Sequence, residues 1–187
     1  LEKDISTIKR FHKSAGFYFV EVVSSINKDE NLNSIRVNLD VKQGNRAKIK
    51  EIFFIGDKKI KDKKLLEIIA SEEHKFWKFI SQKVYLNKDI VRLDTRLLEN
   101  YYKNEGYYDV EVLNSFAELN EQGSFKLVFN IDAGEKYFFN NLTLTLPEDY
   151  DKKDFRDIEK IFKKLKGKNY SLNSVEKILK EIDKIAS

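Results

Sequence analysis

The sequence predicts an α+β protein made of tandem β-α-α-β-β units. Helix-like periodicity alternates along the chain with the period-2 alternation that is typical of strands. The order strand, helix, helix, strand, strand is complete once, between Lys48 and Asp132, and parts of it recur on both sides. One small building block used serially therefore accounts for the whole sequence.

The composition fits a folded chain and argues against several functional classes. Of the 187 residues 41% are hydrophobic, with 14 Phe and 9 Tyr, which is enough to form cores. The 35 Lys and Arg are nearly balanced by 31 Asp and Glu, and the net charge of +4 favours a mixed-charge surface over a nucleic-acid groove. The absence of cysteine excludes disulfides and thiolate metal sites. No apolar run approaches the ~20 residues of a membrane-spanning helix.

The strongest internal signal is a repeat with an offset of 90 residues, as from Gly16 to Gly106. DISTIKRFHKSAGFYFVEV aligns with DTRLLENYYKNEGYYDVEV, and both end in the same V-E-V. The aligned ranges are 4–22 over 94–112, 35–44 over 125–134, and 49–54 over 139–144. Because this period is too long for a short solenoid repeat, each unit should be a small domain with its own core.

The central unit begins with a predicted strand, KIKEIFFIG (48–56), and a helix around KLLEIIA (64–70). A second helix is predicted over 87–107, where apolar residues recur every three to four positions: Ile90, Leu93, Leu97 and Tyr101. Asn87 is a plausible N-cap, and Gly106 suits the left-handed position after the last turn. A hairpin is predicted to close the unit.

The predicted hairpin strands have one apolar and one polar side. In the central unit the apolar positions are Val110, Val112, Phe125, Leu127, Phe129 and Ile131, and in the first unit they are Val20, Val22, Ile35, Val37, Leu39 and Val41. Turn residues at 27–33 and 120–123 separate the strands. We therefore expect the helices of each unit, including the stripe of Ile8 and Phe11 in the first, to cover one sheet face only.

The third unit is predicted to contain a strand over 136–146 and helices over 154–167 and 173–185. The second helix opens with Asn173 and Glu176 at capping-box spacing. We expect the sequence to be a fragment, with a second helix and hairpin in 1–46, a complete module in 47–135, and a first strand and two helices in 136–187. Two such chains could complete each other head to tail.

Four stretches carry a resemblance to a known family: IFFIGDKKIKDKKL (52–65), FWKF (76–79), YLNKDIVRLDTRLLENYYKNEGYYDVEV (85–112) and FKLVFNIDAGEKY (125–137). The unit resembles the polypeptide-transport-associated (POTRA) domain. Its tandem use resembles the periplasmic arm of the BamA family of outer-membrane assembly factors, from the second half of module two to the first half of module four. TLTLPEDY (143–150) departs from the pattern, because the family usually keeps a glycine after the first strand.

The resemblance implies a three-stranded mixed sheet in each module, with strand order first–third–second and two helices on one face. The second strand is then an edge, whose unpaired N–H and C=O groups can pair with another extended chain. In the central unit we expect this protein-binding edge to comprise Tyr107, Tyr108, Asp109, Val110, Glu111 and Val112. The alternative is a solvated edge whose two acidic residues prevent aggregation.

Two further features of the sequence are candidates for a functional role. The aromatic loop residues Phe76, Trp77 and Phe79 are interpreted first as packing over the helices or a neighbouring module, and otherwise as a docking loop. The short junctions at Gly44, Arg46, Gly134 and Lys136 should act as hinges between modules.

The resemblance implies a non-enzymatic scaffold in the periplasm, which docks assembly lipoproteins and unfolded outer-membrane proteins. A membrane barrel is expected elsewhere in the full-length chain, and no cofactor or metal is expected. His12 and His74 fall in different units, so a shared metal site is not predicted. Two alternatives remain: the POTRA arm of a related secretion or translocation pore, and a basic nucleic-acid-binding α+β module.

Overall fold

The computed structural model describes residues 1–29, 33–75 and 81–186. In chain order the elements are α1 (Glu2–Ser14), β1 (Glu21–Asp29), β2 (Ser34–Lys42), β3 (Ile49–Asp57), α2 (Asp62–Ile68), a 3₁₀ helix (Gln82–Val84), α3 (Lys88–Asn104), β4 (Glu111–Leu119), β5 (Phe125–Asp132), α4 (Arg156–Leu165) and α5 (Leu172–Ala186). No helix among these described residues is both long and apolar enough to span a membrane.

Backbone contacts divide the chain into two compact units. One contains Leu1–Phe53, Ile69–Asp94 and Ser115–Val128, and the other contains Phe54–Ile68, Thr95–Asn114 and Phe129–Ser187. The boundary falls within β3, β4, β5 and α3, so these four elements each contribute residues to both units.

The larger sheet has the strand order β3-β5-β4, which confirms the order implied by the resemblance. Phe125 N–H donates to Lys48 O (2.8 Å) at one end of the β3–β5 pair, and Ala133 N–H donates to Asp57 O (2.9 Å) at the other. From the first of these contacts to the second, the residue numbers of β3 and of β5 both increase, so the two strands are parallel. The predicted turn after β4 is confirmed, because Asn120 Oδ1 accepts the N–H groups of Gln122 and Ser124.

Alternate residues of β5 point into the core, as predicted: Phe125, Leu127, Phe129 and Ile131 are all buried. The Phe129 ring stacks on Phe54 at 5.7 Å between centroids. Gly56, near the end of β3, has φ +88°, and a Cβ there would lie 2.3 Å from Ile131 O. Close approach of the strands therefore requires glycine at this position.

Helix α3 begins as predicted, but it ends at Asn104, three residues before the predicted end, and its buried face differs. Asn87 Oδ1 accepts the N–H groups of Asp89 (2.8 Å) and Ile90 (3.2 Å), which confirms the N-cap. The fully buried positions are Asp94, Leu98 and Tyr102. The predicted stripe through Ile90, Leu93, Leu97 and Tyr101 is half-buried at best, because the helix is rotated by about one residue from that prediction.

The smaller sheet is an antiparallel pair in which Val22 faces Val41 and Ile26 faces Val37. Its predicted apolar side exists but is not a core. Ile35, Val37, Leu39 and Val41 are exposed, and only Val20, just before β1, is buried among the predicted positions. Helix α1 contacts β1, but it has no buried residue and Phe11 is exposed, so it leaves this sheet face largely open.

The prediction of a strand over 136–146 is wrong. Among the described residues this segment forms a single antiparallel bridge, from Phe138 to Asn169, and one bridge does not make a ladder. Leu144 and Leu146 instead pack on a cluster formed by Phe155, Ile158 and Ile178 of the α4–α5 region.

The predicted N-cap of the last helix is also wrong. Helix α5 begins at Leu172, one residue earlier than expected, and Ser171 Oγ accepts the N–H of Ser174 at 3.3 Å. Asn173 lies within the first turn, where its own N–H donates to Asn104 Oδ1.

Candidate protein-binding edge

Among the described strands, β4 lies at an edge of the three-stranded sheet and pairs with β5. At the start of the strand, Val112 N–H donates to the Glu99 carboxylate at 3.3 Å. Leu113, Phe116 and Leu119 expose about half of their surface. This strand therefore combines an open backbone edge with exposed apolar side chains, the combination to which an extended chain can add.

The opposite edge of the sheet is partly occupied by the protein itself. His74 N–H donates to Ile49 O (2.7 Å), and Ile52 N–H donates to the Glu73 carboxylate (3.2 Å). Lys48 forms a bridge with Tyr85. Because these contacts cover the first half of β3, β4 is the edge that is more accessible to another polypeptide.

Four of the six predicted edge residues precede β4: Tyr107, Tyr108, Asp109 and Val110. They form the turn after α3, in which Gly106 has φ +106° and Val110 is buried. Asp109 accepts a hydrogen bond from the Tyr137 hydroxyl at 2.6 Å, which raises the pKa of that hydroxyl. The ring of Tyr108 contacts those of Tyr137 and Tyr170. Of the predicted set, Glu111 and Val112 lie in the strand.

The predicted hinge at Arg46 is held by specific contacts. Its guanidinium lies 4.3 Å from the ring centroid of Tyr85 and 5.7 Å from that of Phe17. Beside it, Ala47 N–H donates to Gly16 O at 3.0 Å. Cation–π contacts and a backbone hydrogen bond thus fix the chain where it enters β3.

The second junction repeats this geometry at the same 90-residue offset. Lys136 Nζ lies 5.5 Å from the Tyr107 ring centroid, and Tyr137 N–H donates to Gly106 O at 2.8 Å. Both predicted hinge glycines have left-handed backbone, Gly44 with φ +69° and Gly134 with φ +64°. The repeat seen in the sequence therefore extends to individual contacts.

The aromatic loop residues Phe76, Trp77 and Phe79 lie outside the described part of the chain. Each histidine has a polar partner: Gln43 Nε2 lies 3.2 Å from His12 Nδ1, and Lys48 Nζ donates to His74 Nε2 at 3.1 Å. Over residues 1–29, 33–75 and 81–186, no cluster of three His, Asp or Glu side chains could hold a metal ion.

An apolar groove of about 420 Å³ adjoins the second half of β4. Its lining residues come from the α1–β1 turn, the start of α3 and the hairpin: Tyr18, Leu86, Lys88, Val91, Arg92, Ser115, Phe116, Ala117, Phe125 and Leu127. The Tyr18 ring meets Phe125 edge-on at 5.2 Å, and burial raises the pKa of its hydroxyl. The sequence did not predict this groove, because Tyr18 and Phe116 are distant in the chain and neither has a local signature.

The strand order and the glycine near the end of β3 agree with a match to a protein-family model. The model is the POTRA family, described as a surface antigen variable number repeat, and it matches residues 47–134. Residues 47–134 match the POTRA family. The predicted fold class and the predicted resemblance are both confirmed.

Curated relatives of this chain carry the name outer membrane protein assembly factor BamA. The protein from Neisseria meningitidis serogroup B is 22% identical over 97% of this chain, and the protein from Nitratidesulfovibrio vulgaris is 27% identical over 76%. The aligned regions cover 23% and 17% of those proteins, so the chain spans less than a quarter of their length.

A solved structure has the same fold. The crystal structure of Haemophilus influenzae BamA POTRA3-5 superposes with a TM-score of 0.55, covers 98% of this chain and 68% of that one, and is 14% identical in sequence. The POTRA fold thus extends beyond the segment that the family model matches.

Proposed function

We propose that this chain is part of the periplasmic POTRA arm of an outer-membrane protein assembly factor. In this role it is a scaffold and not a catalyst. It binds unfolded outer-membrane proteins, and docks accessory lipoproteins of the assembly machinery, partly by strand addition. The name shared by the curated relatives supports this assignment, and the position of β4 at an edge of the described sheet is the single structural observation that carries it.

Strand addition suits a binder of many clients. Main-chain hydrogen bonds supply affinity whatever the client sequence, while side-chain contacts select only coarsely. The occupied first half of β3 directs this pairing to β4, and the exposed side chains of Leu113 and Phe116 provide the accompanying apolar contacts. The turn residues Tyr107–Val110 orient the start of the strand and are not themselves part of the proposed pairing surface.

Site-specific photo-crosslinking tests the location. A photoreactive phenylalanine analogue replaces Leu113 or Phe116, and urea-unfolded outer-membrane protein is diluted onto the purified chain. We expect crosslinks from both positions, because both side chains on β4 are exposed. Ile55 on β3 is the matched control, since it is similarly exposed in a strand of the same sheet. Equal yields from Ile55 and Phe116 would contradict the assignment to β4.

Backbone methylation tests the mode of binding. A client peptide is synthesised in two forms, each N-methylated on one of the two alternating sets of residues. Since alternate N–H groups of a strand point to the same side, only one form loses its donors to β4. We expect that form to bind at least ~10-fold more weakly, as several hydrogen bonds are lost. Equal affinities of the two forms would indicate side-chain binding without strand addition.

A further inference from the structure

A basic groove of about 570 Å³ lies beside the apolar groove. Its lining comes from α1 and from the start of α3: Ser6, Lys9, Arg10, Lys13, Ser14, Lys88, Asp89 and Arg92. Five of these eight residues are cationic and one is acidic. Lys88 and Arg92 also line the apolar groove, so the two grooves are continuous.

The positive charge of this groove is only weakly compensated. Arg92 pairs with Asp89 at 3.2 Å, and both side chains are about four-fifths exposed, so water screens the pair strongly. Within the described residues, none of the other four cations has an ion pair to a carboxylate. Positive charge is thus concentrated at one end of the apolar groove, which is lined by aromatic rings.

We propose that the two grooves together bind an extended polypeptide segment in which acidic residues lie on one side of a large apolar side chain. The inference rests on the proposed strand addition at β4, because that pairing brings the segment to the apolar groove. The apolar side chain enters beside Tyr18 and Phe116, and the acidic residues lie over Lys88 and Arg92. A polypeptide fits better than a lipid surface, because the open strand edge next to the groove offers backbone partners that a headgroup cannot use.

A set of short peptides tests this preference. All share one sequence in which apolar and polar residues alternate. Each peptide carries two glutamates, two glutamines or two lysines, placed at its N-terminus in one series and at its C-terminus in the other. At about 50 mM salt we expect a glutamate peptide to bind about 3- to 10-fold more tightly than its glutamine counterpart, with the lysine peptide weakest. At about 500 mM salt the difference should largely disappear, because the contacts are exposed and screened.

Charge reversal in the chain locates the effect. In the double variant Lys88→Glu/Arg92→Glu the preference for glutamate should be lost or inverted, while glutamine-peptide affinity stays within about two-fold. The matched control is Lys177→Glu/Lys180→Glu, which changes the net charge equally at exposed positions of α5. Circular dichroism melting curves of both variants check that folding is retained.

Each outcome decides a separate question. A glutamate preference that survives in the Lys88/Arg92 variant, or that both variants lose equally, would overturn the inference. Equal binding of the glutamate and glutamine peptides would also overturn it and leave strand addition intact. Failure of every peptide to bind would overturn both. If charge reversal weakens binding to phosphatidylglycerol vesicles but not the peptide preference, the groove binds lipid and the inference is wrong.

Discussion

At the scale of single residues, Tyr102 shows how a side chain in α3 fixes a distant turn. The side chain is fully buried, and its hydroxyl donates to the carbonyl of Lys58, which lies between β3 and α2. The adjacent residue, Lys59, has a positive φ of 45°, so this turn is conformationally unfavourable by itself. The predicted apolar stripe contained the neighbouring Tyr101 and not Tyr102. The sequence could not predict the hydrogen bond, because the acceptor is a backbone carbonyl 44 residues away.

The variant Tyr102→Phe should destabilise the protein by about 1 kcal/mol at pH 7, because it removes one buried hydrogen bond. Burial raises the pKa of this hydroxyl far above its ordinary value of 10.0. A raised pKa in the folded state stabilises the fold below pH 10, and this stabilisation is lost as the pH rises further.

Urea unfolding at pH 7 and between pH 10 and 11.5 measures this effect. The difference in free energy of unfolding between wild type and Tyr102→Phe should shrink above pH 10. The exposed Tyr150 provides a control, and Tyr150→Phe should differ little from wild type at any pH. A wild-type advantage that is constant with pH would contradict the role given to the hydroxyl.

At the scale of elements, α3 shows why an apolar stripe alone did not identify the buried face. That face begins with Asp94, which accepts hydrogen bonds from Ala70 N–H (2.6 Å) and Ser71 N–H (3.2 Å). Burial raises the pKa of this carboxyl, and the hydrogen bonds oppose that effect only in part. Carboxylates seldom occupy core positions, so the apolar pattern favoured the neighbouring face. The alignment of Asp4 with Asp94 in the repeat was the one available signal.

The variant Asp94→Ala should destabilise the protein by about 1–3 kcal/mol, because two backbone N–H groups after α2 lose their acceptor. Asp94→Asn retains an acceptor oxygen and should have a smaller effect. Asp89→Ala is the matched control on the same helix, where the carboxylate is 84% exposed, and it should change stability by less than about 0.5 kcal/mol. Thermal unfolding measures all three, and equal effects at positions 89 and 94 would show that Asp94 has no linking role.

The strands were predictable where a partner strand is present. β3, β4 and β5 form a sheet, and their alternation predicted the buried side of β5 correctly. The segment 136–146 has similar alternation but pairs only through one bridge in the described chain. Alternation shows that a segment can be a strand, whereas pairing decides whether it is one. The same limit affected the candidate edge, since local pattern could not place the start of β4 at Glu111 instead of Tyr107.

At the scale of the whole molecule, the repeat was the most reliable sequence feature. It predicted the recurring order of elements, and both junctions have the same contacts at the same offset, as in the pairs Ala47–Gly16 and Tyr137–Gly106. Burial is not repeated in this way. The strand β5 is almost entirely buried, whereas its sequence counterpart β2 is exposed along its whole length. Segments with equivalent sequence patterns are therefore buried to different extents.

This difference predicts unequal local stability, which hydrogen–deuterium exchange can measure. The pair β1–β2 is a two-stranded sheet with little buried apolar surface, and such sheets are marginally stable by themselves. The amides of β5 lie in a packed core and should exchange only on extensive unfolding. We expect exchange in 125–132 to be at least ~100-fold slower than in 21–29 and 34–42.

The variant Phe129→Ala should lower the free energy of unfolding by about 3–5 kcal/mol and accelerate exchange in β5, while exchange in β1–β2 stays the same. If exchange in β1–β2 were as slow as in β5, or if Phe129→Ala accelerated exchange in both to the same extent, burial would not set their local stability.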